Sequence, residues 1–207
     1  IGELIDKLKS LGLDEKTLVL FTSDNGPHEE GGNDPQLFNA GGGLRELKCD
    51  LYEGGIRVPF IARWPGKIPA GIVSPHVGYF GDFLATAADL AGAQAPANLD
   101  SLSLVPVLTG DTAKQARHEF LYWEFFERGF SQAVLLDGRW KGIRLQRRTA
   151  PIELYDLTTD LSEQTNLATQ KPELTSRIAD ILKTAHAESP LWPIPKEADG
   201  GGKNAKQ

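Results

Sequence analysis

The residues best suited to chemistry close the stretch Thr17-Leu-Val-Leu-Phe-Thr-Ser-Asp-Asn-Gly26. An apolar, partly β-branched run ends abruptly in a carboxylate, an amide and a glycine. In an open α/β sheet, ligands bind just beyond the carboxyl ends of the strands. Asp24 and Asn25 fall at that place. Both carry hard oxygen atoms, which suit Ca²⁺ or Mg²⁺ better than zinc. An ordinary strand followed by an Asx-type turn uses the same residue types. The residues downstream of Gly26 decide between the two readings.

Two further segments come next in order. The first is Gly41-Gly-Gly-Leu-Arg-Glu-Leu-Lys-Cys-Asp-Leu-Tyr-Glu-Gly-Gly-Ile-Arg-Val-Pro59. The second is Phe60-Ile-Ala-Arg-Trp-Pro-Gly-Lys-Ile-Pro69. Together, T-S-D-N-G, a glycine-rich loop leading to a lysine, Y-E-G-G-I-R-V-P and W-P-G-K-I resemble the C-terminal half of a type I, formylglycine-dependent sulfatase (arylsulfatase) of the alkaline phosphatase superfamily. A lone S-D-N-G is weak evidence; the ordered set is specific. The resemblance runs to about residue 190 and includes the later E-L-Y-D-L and N-L-A.

The resemblance implies a fold, an activity and a set of roles. The fold is α/β: the C-terminal part of an alkaline-phosphatase-like sheet-and-helix domain, then a small antiparallel sheet packed on a C-terminal helix. The activity is hydrolysis of sulfate monoesters. Asp24 and Asn25 become ligands of Ca²⁺, whose shell two aspartates earlier in the family's sequence complete. Gly26 lets the chain turn sharply past the ion. Lys48 becomes the lysine that contacts the sulfate, a compact point charge suited to an anion. The family's nucleophile is a formylglycine made within C/S-x-P-S-R. That motif does not occur in these 207 residues, and Cys49 is followed by Asp-Leu-Tyr. The chain is therefore expected to be a fragment carrying part of the site and inactive alone.

Some assignments stay open. Leu44-Arg-Glu-Leu-Lys48 departs from the family's glycine-lysine approach and leaves Arg45 as a second cation for the anion. Glu53 and Arg57 flank Gly54-Gly55; an ion pair fixing the loop is preferred to substrate contact. His28 lies shortly after the metal pair and is either a proton donor to a leaving group or an exposed loop residue. The aromatic cluster of Tyr122, Trp123, Phe125 and Phe126 reads as core. Two other functions fit the same fold: a phosphate or phosphonate ester hydrolase of the superfamily, and a non-catalytic binding module.

Three parts must position these groups. Residues 1–116 read as α/β, 117–190 as the C-terminal subdomain, and 191–207 as a flexible tail. Ile1, Leu4, Ile5, Leu8 and Leu11 recur at helical spacing, with Gly12 as the stop. Thr17 to Thr22 is a strand, residues 26 to 45 a long loop, and Val58 to Trp64 a second, buried strand. Phe80 to Leu90 is a helix ended by Gly92. His118 to Phe126, Ser131 to Asp137, Arg139 to Leu145 and Glu153 to Leu157 are strands, with a hairpin signal at Asp137-Gly138. Pro172 opens a last helix with Leu174, Ile178, Ile181, Leu182 and Ala185 on one face.

Composition sets the remaining limits. A hydrophobic fraction of 40% supports a real core. A formal net charge of -6 argues against a general nucleic-acid surface. No apolar run is long enough for a membrane span. The expected partner is a sulfate ester, aryl or carbohydrate. An unpaired sheet edge makes self-association an expectation. The family resemblance implies a periplasmic or secreted protein.

Overall fold

A computed structural model describes residues 1–194. Contacts divide the chain into two compact units. The first holds Ile1–Ser23 and Pro59–His118; the second holds Asp24–Val58 and the chain from Glu119 onward. Residues 24–58 thus belong, by contact, with the C-terminal sheet rather than with the rest of 1–116. Of the expected tail, residues 195–207 lie outside the described part.

The first unit begins with helix α1, Gly2–Ser10. Gly12 ends it at φ +66°, where the Gly12 and Leu13 amides bond back to Lys9 and Leu8 carbonyls. A left-handed residue after the last turn closes a helix this way, and glycine takes it without a Cβ penalty. Strand β1, Val19–Thr22, is the expected one and ends two residues before Asp24. Its partner is β2, Phe60–Arg63, paired antiparallel with Thr22 opposite Phe60. The Arg63 guanidinium holds both oxygens of Asp14, at 2.7 and 3.0 Å. Helix α3 spans Asp82–Ala91 and ends on left-handed Gly92; α4 spans Val105–Thr109. Buried Asp82 accepts the backbone N–H groups of Tyr79 and Leu102 and lies 2.8 Å from His118 Nε2.

The buried strand expected at Val58 to Trp64 is not buried. Phe60 and Ile61 are 49% and 57% exposed, and Leu84 on α3 is 49% exposed. Two strands have few neighbours on either face, so their apolar side chains stay partly in contact with water.

The second unit is built on a four-stranded antiparallel meander. Its strands are β3 Phe120–Phe125, β4 Ser131–Leu136, β5 Trp140–Arg144 and β6 Ile152–Asp156, in sheet order β3-β4-β5-β6. The register puts Tyr122, Val134, Gly142 and Leu154 in one row. That face receives helix α5, Pro172–Thr184, through Ile178 and Leu182. A Cβ at Gly142 would collide with the Ile178 side chain, so glycine sets how closely α5 lies. The alternate row is Leu121, Leu135, Lys141 and Tyr155. It is covered by residues 45–57, which include the single helical turn α2, Glu53–Ile56. Every residue of β4 is buried as a result. Its run Ser-Gln-Ala-Val-Leu-Leu lacks the polar alternation of a strand with one wet face. The core reading of the aromatic cluster agrees with Tyr122 packing against the α5 cluster and Phe126 against Phe130 at 5.1 Å.

Candidate active site

The candidate site lies wholly in the second unit. It is assembled by three backbone segments that approach through glycines. The Gly26 amide donates to the Gly55 carbonyl at 2.9 Å. The Lys48 amide donates to the Pro27 carbonyl at 2.9 Å, and Gly54 N–H to Arg45 O at 2.8 Å. A Cβ on Gly26 would overlap the Gly54 carbonyl; one on Gly54 would overlap the Arg45 and Glu46 carbonyls; one on Gly55 would overlap the Asp50 carbonyl. Gly26 is therefore required for close approach of two backbones. The chain does bend at residues 24–26, but Gly26 has no left-handed φ, so it is the close approach that requires glycine there.

These bonds bring Asp24, Asn25 and Lys48 into one neighbourhood. The Asn25 side-chain nitrogen donates to Gly26 O at 2.8 Å, which orients its amide. The Lys48 ammonium lies 3.1 Å from Glu30 Oε2. Glu30 raises the Lys48 pKa, first by that hydrogen bond and then by its charge; Asp24 adds a smaller pull of the same sign. Reciprocally, Lys48 holds the Glu30 carboxyl below its ordinary value. Both groups are solvated, so the pair is readily exchanged for another anion. His28 Nδ1 accepts the Glu30 amide at 3.0 Å and stands 3.8 Å from Glu30 Oε2. With Nδ1 accepting, the neutral ring carries its proton on Nε2.

Arg45 is engaged elsewhere. Its guanidinium stacks 3.8 Å from the Tyr52 ring centre and donates to Tyr155 Oη at 3.0 Å and Glu163 O at 2.9 Å. Tyr52 and Tyr155 both donate to Glu153 Oε2, at 2.5 and 2.6 Å. Burial and that carboxylate push the Tyr155 hydroxyl up to about 12. Arg57 and Glu53 form the expected pair at 2.6 Å.

Three participants escaped the sequence. Glu30 sits in a loop whose path no local pattern fixes. Lys141 and Glu163 are fully buried, and Lys141 Nζ meets Glu53 Oε1 at 2.7 Å and Glu163 Oε1 at 3.3 Å. The available signal was Lys141 itself: a lysine within an otherwise apolar β-strand pattern needs a carboxylate partner.

The donor set at the end of β1 fits a hard divalent cation in kind: one carboxylate from Asp24 and one amide oxygen from Asn25. It is incomplete in number. Among the described residues, no group of three or more His, Cys, Asp or Glu side chains converges as a metal site.

The Sulfatase family model matches residues 1–93, the span that contains all of these loop residues. An N-acetylgalactosamine-6-O-sulfatase from Bacteroides thetaiotaomicron is 30% identical over 204 residues, covering 89% of this chain and 39% of that protein. Human arylsulfatase A is 30% identical over 207 residues, covering 88% of this chain and 39% of its own length. A solved Bacteroides thetaiotaomicron structure, described with that organism's glycosaminoglycan metabolism, aligns at a TM-score of 0.73 and 29% identity over 89% of this chain and 42% of that one. An α/β architecture with antiparallel sheets is thus shared with sulfatases. Along nearly nine-tenths of its length the chain is similar to sulfatases. It spans between 20% and 39% of the length of the curated relatives it matches.

Proposed function

We propose that this chain is the C-terminal portion of an enzyme that hydrolyses sulfate monoesters, aryl or carbohydrate. It supplies one wall of the active site, and the nucleophile and further metal ligands come from sequence beyond these 207 residues. The observation that carries the reading is the convergence of Lys48 with Asp24 and Asn25 inside the span matched by the family model. The names of the relatives point to aryl and amino-sugar sulfates as substrate classes.

The chemistry is dictated by charge. A sulfate monoester is anionic, and more negative charge develops on its leaving oxygen as the S–O bond breaks. Fixed positive charge around the sulfuryl group lowers that barrier. Lys48 supplies one such charge at the sulfuryl oxygens. Asp24 and Asn25 would hold calcium, which supplies Lewis acidity and charge when bound. His28 Nε2–H is a group able to give a proton to a departing oxygen. Glu30 keeps the Lys48 ammonium charged and in place until an anion displaces it.

The decisive assay uses the full-length protein that carries this chain. Lys48→Ala lowers kcat/KM for an aryl sulfate by roughly 10²- to 10³-fold, the usual cost of removing one transition-state charge contact. Undiminished activity in that variant, or activity confined to phosphate esters, overturns the proposal. A second result concerns Glu30. In the present chain, Glu30→Gln strengthens sulfate binding by roughly two- to fivefold, because the exposed carboxylate it removes is a weak competitor for the Lys48 ammonium. Titration with sodium sulfate, monitored by the Lys48 ammonium or amide NMR shift, measures it. Unchanged affinity shows that Glu30 does not compete for the lysine.

A further inference from the structure

We propose that Lys141, on β5 of the C-terminal sheet, is a positioning residue for the anion and cation site, acting through Glu53. Only the purpose of the positioning rests on the sulfatase reading; the mechanical link is a property of this chain.

The ammonium of Lys141 has no access to water and faces the side of the sheet opposite α5. Its partners there are carboxylates, Glu53 Oε1 at 2.7 Å and Glu163 Oε1 at 3.3 Å. Buried ion pairs of this kind are often no more stabilising than apolar side chains of equal volume. What such a group does supply is a fixed geometry, and here the fixed object is α2. Glu53 opens that turn, and its backbone N–H donates to Glu163 Oε2 at 2.7 Å. One buried cation and one buried carboxylate thus hold Glu53 by side chain and by backbone.

The rest of the link is backbone without slack. Gly55 O accepts Gly26 N–H, and Gly54 N–H donates to Arg45 O. Neither junction has room for a Cβ, so a displaced α2 pushes directly on residues 24–26 and 45–50. Those two segments carry Asp24, Asn25 and Lys48. The Arg57 guanidinium grips the other Glu53 oxygen, but its side chain is 46% exposed and can follow a moving partner. Lys141 cannot, because its strand is paired on both sides.

Amide hydrogen exchange in this chain tests the link without any turnover. Three proteins are compared: wild type, Lys141→Met and Leu182→Ala. The last loosens the α5 face and serves as the purely structural control. Positioning predicts that Lys141→Met accelerates exchange at the Gly26 and Lys48 amides by roughly tenfold beyond any change at Val134 in β4, a sub-global opening. Leu182→Ala should lower Val134 protection with no such selective loss at Gly26 and Lys48. Equal acceleration at all three amides in Lys141→Met, or none at Gly26 and Lys48, overturns the proposal. If Lys141→Met does not fold, Glu53→Gln removes the ionic part of the same link and is read by the same criterion. The sulfatase reading stands or falls separately, on the Lys48→Ala assay.

Discussion

Gly54→Ala should cost the second unit at least about 3 kcal/mol, at the upper end of what overpacking does. The added Cβ would lie on the carbonyl oxygens of Arg45 and Glu46. Both obstacles are backbone, so no side-chain rotation relieves them. The chain must separate α2 from residues 45–50, which breaks the Gly54–Arg45 bond and uncovers the buried residues Leu51, Tyr52 and Glu53. The conformation of Gly54 is ordinary, so strain at φ contributes nothing. Gly41→Ala is the matched control. It lies in the glycine-rich loop, has no left-handed φ, and its Cβ would meet only Leu44 O at 3.8 Å. It should stay within about 0.5 kcal/mol of wild type. Urea unfolding monitored at Tyr52 and Tyr155 separates the two. A Gly54→Ala loss below about 1 kcal/mol would show that the three segments are looser than their contacts imply.

The same glycines explain what the sequence disclosed and what it withheld. Asp24, Asn25 and Lys48 were legible as candidates because each sits in a short, distinctive string. The sheet of β3 to β6 and the helix α5 were legible because short apolar and aromatic runs, Asp137-Gly138 and the Pro172 start are local signals. The boundaries shifted by one or two residues, as strand ends do. The second cover of the sheet was hidden, because it joins residues 45–57 to β5 and β6 across about ninety positions of chain, as in the Glu53–Lys141 pair. No periodicity encodes such a partner. Glu30 was hidden for a different reason. It reaches Lys48 by the course of a turn through Gly31 and Gly32, both at positive φ, and such a course is set by glycine geometry rather than by side-chain pattern. Arg45 looked available for an anion because its partners Tyr155 and Glu163 are remote in sequence.

The Lys141 cluster should respond oppositely to removal of its two carboxylates. Burial pushes the Glu53 carboxyl up, but Lys141 and Arg57 more than reverse this and leave it below its ordinary value. Its contribution to stability is therefore present above the ordinary glutamate range and lost as pH falls through the depressed value. Burial also pushes Glu163 up, and there the attraction of Lys141 and the Glu53 N–H do not reverse it. Its contribution is full below the ordinary glutamate range and lost as pH rises through the elevated value. Glu163→Gln keeps an acceptor for the Glu53 amide and removes that loss, so at neutral pH it should be within about 1 kcal/mol of wild type or more stable. Glu53→Gln should cost about 2–3 kcal/mol, less than a fully broken buried pair, because Glu163 remains beside Lys141. The double variant leaves the Lys141 ammonium buried with no carboxylate and should lose more than the two single variants together, by at least about 1 kcal/mol. Urea unfolding of all four proteins between pH 4 and pH 8 measures the cycle. Strict additivity would mean that Glu163 is not the reserve partner of Lys141. A strongly destabilised Glu163→Gln would mean that both carboxylates are ionised in the folded chain.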